Sequence, residues 1–515
     1  MGHARTLSIS LTGLDGTLVE VEADVSQGLP AFSLVGLPDS STLQARERVR
    51  AAAARSGVRL AARRITINMT PAWQPKHGSG FDLAIAMAVV DAQGDLLTHL
   101  PGDTVLLGEL GLDGRVRPVP GVLPALLAAR THGVTRAIVP EENLPEARLV
   151  EGMEVDGAGD LTSVLHRFGA DVPPAPARGT LRLTAPERKS SERSRSPQLP
   201  DFADVIGQAQ ARRAAEVAAA GGHHLLLSGP PGAGKTMIAS RVPGILPQLD
   251  IDDALTVSAI HSLAGRFDAR DGLRRTAPFE NPHHTATTAA VVGGGGGIAL
   301  PGAISRAHAG VLFLDEAPEF PARVLEALRE PLETGDITLH RARGVTRYPA
   351  RFQLILAANP CPCGKAWGKG VDCTCSPLQR RRYAARLSGP VLDRVDMRVG
   401  VGPVDVRRSG PEDAEPSALI ADRVRTARER QRRRYDGLPW TTNAHLPGPR
   451  LRREFAPEAP QRRLLDHAVA QGRLTLRGHD RVLRLAWTLA DLDGSDRPGE
   501  GHIGTALTLR EGEPR

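Results

Sequence analysis

The chain has 515 residues, 41% of them hydrophobic and 24% charged, which suits about three soluble domains with ordinary buried cores. No basic, apolar and small-residue leader pattern occupies residues 1–14, and the longest apolar stretch, 83–90, is too short to span a bilayer; a membrane partner is therefore not expected and the cytoplasm is the expected location. The net charge of +7 rests almost wholly on arginine, with lysine only at 76, 189, 235, 365 and 369; a GC-rich coding bias produces the same excess, so charge alone argues little for a polyanionic partner.

In chain order, residues 7–36 read as short alternating strands with turns at 13–16 and 28–30. A helix over 40–56 follows, capped by Ser40 or Ser41, then a strand over 64–69 and a buried helix over 81–91. This makes a first α+β domain, residues 1–170. Between 171 and 200 the composition turns to Pro, Arg and Ser without apolar periodicity, as an unpacked connector would. Residues 201–404 alternate strands and helices, predicting an α/β domain with a parallel sheet. From 405 to 515 strand signals fade and helices are expected at 417–435, 461–472 and 478–492, a helical lid. There is no internal repeat.

The most informative run is Gly229, Pro230, Pro231, Gly232, Ala233, Gly234, Lys235, Thr236, set between the apolar strand 225–227 and a helical stretch over 237–242. Glycines let backbone N–H groups turn toward phosphate oxygens, a lysine supplies charge to the β and γ phosphates, and a threonine hydroxyl can meet Mg2+; the helix N-terminus adds partial positive charge. The run predicts ATP binding. A second strand, 311–314, delivers Asp315 and Glu316 at its carboxyl end, where an open parallel sheet places ligand chemistry. Asp315 can help hold Mg2+ and Glu316 can polarise the attacking water. A third strand, 352–356, leads to Asn359, whose amide can orient that water or sense the γ phosphate; a turn-forming Asn-Pro pair is the plainer reading. Arg394, with Arg386 as runner-up, is the candidate finger reaching a neighbouring subunit's γ phosphate, and Arg477 opens a lid helix from which it can contact nucleotide. By spacing alone, each arginine reads as a surface or ion-pair residue sooner than as a finger.

All four cysteines fall at Cys361, Cys363, Cys373 and Cys375. Four thiolates complete a tetrahedral Zn2+ shell, with reduced free thiols, an iron–sulfur cluster or disulfides as alternatives. Two arginine clusters stand out: Arg380, Arg381, Arg382 beside Tyr383, and Arg423, Arg425, Arg428, Arg430, Arg432, Arg433, Arg434 beside Tyr435. Either can bind DNA phosphates without reading sequence, or can be a solvated face with acidic neighbours.

Residues 28–39, the phosphate loop, Pro282-His283-His284-Thr285, the glycine run 293–297, 310–316, 359–364 and 388–396 together resemble the magnesium-chelatase-like AAA+ ATPases of the ComM/YifB family, in family order and over nearly the whole chain. The resemblance implies an AAA+ P-loop core with a helical lid, and a homo-oligomeric, six-membered ring driven by Mg-ATP. Within it Asn359 would be first sensor, Arg394 finger and Arg477 second sensor. It also implies a DNA partner, single-stranded or branched, and a helicase that drives branch migration when incoming strands are integrated during natural transformation. The stretch 291–300 reads either as a hairpin facing the ring channel or as a surface hairpin without ligands. Glu280-Asn281 and Ala303 stand where members usually carry an arginine segment and an acid. His283 and His284 read as structural, satisfying backbone groups.

Residues 106–143 resemble the proteolytic domain of Lon proteases, a ribosomal-protein-domain-like α+β fold. Aligned with that family's serine and lysine motifs, Gly80 stands where the nucleophile belongs and Leu123 where the base belongs, with Ser79 one residue away. A non-proteolytic domain used for assembly or for contacting DNA or a partner is expected. The competing reading of the whole is the motor subunit of a magnesium-chelatase-type metal-insertion complex.

Overall fold

The computed structural model describes residues 2–174, 199–295, 299–341, 344–387, 389–403 and 415–512. Most of the expected connector 171–200, the tip of the glycine run, Ser388 and the expected start of the lid lie outside the described residues.

The first unit is a mixed seven-stranded sheet in the order Ala31–Val35, Arg64–Thr70, Asp15–Ser26, Gly2–Thr12, Thr104–Leu106, Arg136–Pro140, Glu154–Ala158. Its first two strands form one long antiparallel hairpin rather than the short strands expected. Along Asp15–Ser26 every second residue, Val19, Val21, Ala23 and Val25, is buried, the period of a half-buried strand. The helix Asp82–Gln93 is apolar on all sides and is buried on all sides, packed on the hairpin. Its one early acid, Asp82, meets Arg48 at 2.5 Å; burial raises the Asp82 carboxyl, and the Arg48 bond works against that rise.

The second unit has a five-stranded, all-parallel sheet in the order Phe279–Glu280, Val311–Leu314, Gln353–Ala358, Leu225–Ser228, Met397–Gly400. Its middle strands are continuous apolar runs because helices cover both faces. The helix expected at 237–242 begins earlier and breaks: Lys235–Ala239 is followed by a separate turn, Val242–Ile245, with Pro243 near its start.

The helices Ser417–Arg434, Gly448–Arg453, Ala459–Ala470, Leu476–Leu492 and Glu500–Glu511 form a helical unit where the sequence leads one to expect a lid. Their apolar faces share one core with the helix Ala209–Gly221 and the strand Leu225–Ser228. The arginine-rich helix is where the structure departs most from a DNA-binding face. Arg423 pairs with Glu216 at 2.5 Å and also with Glu415. Arg428 donates to the Ala219 carbonyl at 2.6 Å, and Arg430 pairs with Asp496 at 3.0 Å. Arg434 pairs with buried Asp491 and lies 4.3 Å over the Trp487 ring, while the Tyr435 hydroxyl donates to Asn443. These side chains bind the lid to its own protomer; Arg425 pairs with Asp422, and Arg432 and Arg433 remain exposed.

The two units meet on the helix Ile251–Leu263. Its Ala259 enters the core of the helix Val122–Thr131, and Ser262 donates to Glu146, which also accepts the Leu123 N–H.

Candidate functional site

The run 229–236 wraps from the carboxyl end of Leu225–Ser228 into the helix Lys235–Ala239. Gly229 is obligatory, since a Cβ there would sit 2.0 Å from the Val401 carbonyl oxygen. Lys235 Nζ donates to the carbonyls of Gly229 (2.7 Å) and Pro230 (2.9 Å) and to Asn359 Oδ1 (3.1 Å), so the ammonium is fixed at the mouth of the loop with the amide beside it. Burial lowers the Lys235 pKa, and the charges of Asp315 and Glu316 pull it back up.

Thr236 Oγ1 donates to Asp315 Oδ2 at 2.6 Å, which places a hydroxyl and a carboxylate side by side as a Mg2+ shell requires. Glu316 has left-handed backbone (φ 50), and its N–H donates to Asp315 Oδ1 at 2.9 Å. That conformation costs about 1 kcal/mol or more in a non-glycine residue and turns the two acids in different directions. The donor set, a hydroxyl, a carboxylate and an ammonium at a glycine-rich loop, fits Mg-ATP. The structure brings Lys235, Thr236, Asp315, Glu316 and Asn359 together as the sequence predicts.

It also adds a residue to them. His284 Nδ1 lies 3.2 Å from Glu316 Oε2, and His283 stacks on it with ring centroids 4.2 Å apart. His283, bonded to Thr285 Oγ1, fits the structural expectation; His284 faces an acid of the site instead. The histidines follow the edge strand Phe279–Glu280, which lies beside Val311–Leu314, and only that pairing exposes the contact.

Arg394 and Arg477 sit elsewhere. Arg394 precedes Met397–Gly400, and the Asp396 N–H donates to the His224 carbonyl at the amino end of Leu225–Ser228, opposite the phosphate loop. A four-residue strand spans about 13 Å. Arg394 pairs with Glu333 and donates to the Pro390 carbonyl at 2.6 Å. Together with Arg477, Arg481 and Arg484 it lines a cavity of about 220 Å³. Asp396 anchors this end: burial acts to raise its carboxyl, but Arg481, His223 and His224 outweigh that and hold it well below the usual range. Arg386 is on the other side, paired with Glu319 at 2.5 Å just past Glu316. Arg380, Arg381 and Arg382 are exposed on the helix Pro377–Arg386, while Tyr383 is buried.

The four cysteine sulfurs lie within 4.8 Å of one another, directly after Asn359. Gly293–Gly294 pair antiparallel with Leu300–Pro301. In the first unit Ser79 Oγ donates to Glu109, Lys76 Nζ donates to the Pro71 carbonyl, and Leu123 is fully buried, so among the described residues no serine–lysine pair forms. No helix of the described residues is long and apolar enough to cross a membrane.

Comparison with known proteins matches three successive stretches of the chain. Family models for magnesium chelatase subunit ChlI match residues 201–408, for subunit ChlI of Mg-chelatase residues 21–143, and for the ChlI C-terminal region residues 414–510. An uncharacterised protein of Mycobacterium tuberculosis is 48% identical over 511 residues, 99% of each chain. YifB of Escherichia coli is 41% identical over 97% of this chain and 95% of its own, and the competence protein ComM of Haemophilus influenzae is 37% identical over 99% and 98%. With identity running end to end through the phosphate loop, the sheet and the lid, the chain belongs to the Mg-chelatase-like ComM/YifB family of AAA+ ATPases.

Proposed function

We propose that this protein is a Mg-ATP-dependent ring motor, a hexamer, that acts on single-stranded or branched DNA and drives branch migration of recombination intermediates. The observation that carries the ring is the division of the machinery between opposite ends of one sheet. The cradle and acids lie at the carboxyl end, and the Arg394–Arg477 cavity lies at the amino end, so Arg394 and Arg477 can complete a phosphate pocket only across a subunit boundary, while Arg386 at the acid end is engaged by Glu319.

On this reading Thr236 and Asp315 hold Mg2+, which neutralises phosphate charge when bound. Lys235 and the loop amides orient the triphosphate, and Asn359 positions the attacking water. Glu316 accepts that water's proton, and Arg394 with Arg477 of the neighbouring subunit offset charge that develops as the terminal phosphate leaves. Zinc is the occupant assigned to the four cysteines. The DNA assignment is supported by the family and by the competence role named for ComM, with exposed Arg380, Arg381 and Arg382 as the local cationic surface.

ATP turnover measured alone, with forked DNA, with four-way junctions and with chelatase partner subunits tests the proposal. Stimulation by the branched DNAs and unwinding of the junction are expected. Stimulation by chelatase subunits alone would favour a metal-insertion motor, and full-speed hydrolysis by a strictly monomeric preparation indifferent to DNA would overturn the ring.

A further inference from the structure

The segment from Cys361 to Cys375 contains turns but no helix or strand, and its one large aliphatic side chain, Val371, is 85% exposed. Beyond half-buried Trp367 and buried Cys361, apolar burial therefore does little to hold it. Its sulfurs are nonetheless drawn together: Cys361 to Cys363 is 3.4 Å, Cys361 to Cys373 is 3.6 Å, and Cys363 to Cys373 is 3.7 Å. A disulfide needs about 2.05 Å, so these are not bonded pairs. Four thiolates at the usual Zn–S distance of about 2.3 Å stand about 3.8 Å apart along the edges of their tetrahedron; the three sulfur separations are close to that, and Cys375 completes the group with all four sulfurs within 4.8 Å. The Ala366 N–H points at Cys361 Sγ from 3.4 Å, the kind of outer donor that tunes a thiolate ligand.

Two lines of contact run from this knuckle to the phosphate loop. Gly364 has φ 75, and a Cβ on it would lie 2.6 Å from both Cδ and Cγ of Pro231, so the knuckle's backbone rests directly on the loop. Trp367 packs its ring against Gly400 and Gly402. The Gly402 carbonyl accepts from Gln208 Nε2 at 2.6 Å, and the same amide donates to the Ala233 carbonyl in the loop at 3.1 Å. The loop is thus braced at Pro231 and again at Ala233.

We infer that the four cysteines form a zinc tetrathiolate whose function is to brace the phosphate loop, so that metal occupancy and nucleotide affinity are coupled. The coupling rests on reading the Lys235 pocket as the nucleotide site. It is reciprocal: whatever factor zinc adds to nucleotide affinity, nucleotide adds to zinc affinity.

The test uses the full-length protein. Metal analysis should find one zinc per chain in a colourless preparation; iron with visible absorbance, or no metal, overturns the assignment. Zinc is then withdrawn with a thiol-reactive mercurial and followed with a chromogenic chelator, while the dissociation constant of a fluorescent ATP analogue is measured before withdrawal, after it, and after thiol restoration with added zinc. Affinity should fall by about 5-fold or more and return with the metal. In the reverse direction, Mg-ATP should slow zinc release to the chelator. Trp367→Ala, which leaves all four ligands in place, should keep stoichiometric zinc yet weaken the analogue, and circular dichroism separates this from unfolding. Bound zinc with analogue affinity indifferent to both withdrawal and Trp367→Ala would overturn the coupling. Absence of analogue binding to the intact protein would instead overturn the nucleotide site itself.

Discussion

If each catalytic site is shared between neighbours, two dead variants should revive one another. Lys235→Ala removes the charge at the mouth of the cradle and leaves the arginine cavity intact; Arg394→Ala does the reverse. Loss of a finger arginine costs about 10³-fold or more in turnover, so each homogeneous variant should be almost inactive. The Arg394 change should cost little stability, because its partner Glu333 has a side chain 56% exposed and returns to water, a loss of about 1 kcal/mol or less. In rings assembled from equal amounts, about one boundary in four joins an intact cradle from the Arg394→Ala subunit to an intact arginine from the Lys235→Ala subunit. Turnover should therefore rise to about a quarter of wild type where boundaries fire independently, and should fall away as the ratio departs from one to one. A coupled ATPase assay across mixing ratios reads this out, with co-purification of differently tagged subunits verifying exchange. Verified mixed rings that stay inactive at every ratio would refute the shared site and the argument from sheet ends.

Three further outcomes follow from contacts already described. The His284–Glu316 contact is half exposed, so His284→Ala should release Glu316 and raise DNA-free hydrolysis by up to about fivefold, with a smaller stimulation ratio on adding DNA; unchanged basal turnover and ratio would remove His284 from the site. Burial pushes the imidazoles of His224, His261, His308 and His445 down to about 4, so they are neutral in the fold while the unfolded chain protonates them below about pH 6.5. Their contribution is complete above that pH and is lost as pH falls from about 6.5 to 4, with a slope of about 1.4 kcal/mol per pH unit for each; calorimetric midpoints should drop steadily from pH 7 to 5, and a flat profile would contradict it. Asp491→Ala strands Arg434 against Trp487 and should cost about 3–5 kcal/mol, seen as lost hydrogen-exchange protection in Ser417–Arg434 and Leu476–Leu492, whereas Asp491→Leu combined with Arg434→Met should be much milder.

The cradle, Asp315, Glu316 and the cysteine cluster were legible because each is a short run whose chemistry is fixed by neighbours in sequence. The parallel sheet was legible from alternation, since apolar runs such as 311–314 and 353–358 bury on both faces. What could not be read was which end of the sheet an arginine occupies: Arg394 and Asn359 both flank strands, and only strand direction separates them. The lid helix shows the same limit from another side. Composition displays seven cations, but their partners Glu216, Asp491 and Asp496 lie about 60 to 210 residues away along the chain, so a self-binding helix and a DNA-binding helix look alike until folded. The helix break after Ala239 had a signal in Pro243 that the apolar pattern overrode.

The placement of Ile251–Leu263 has a mechanical consequence. This helix lies between the segment opened by Lys235 and the edge strand that leads to His284, and it carries the N-terminal sheet through Ala259 and the Ser262–Glu146 bond. If the protein cycles as proposed, a tilt of that helix would be handed to the N-terminal unit as a swing, the unit riding on it like a blade fixed to a driven shaft.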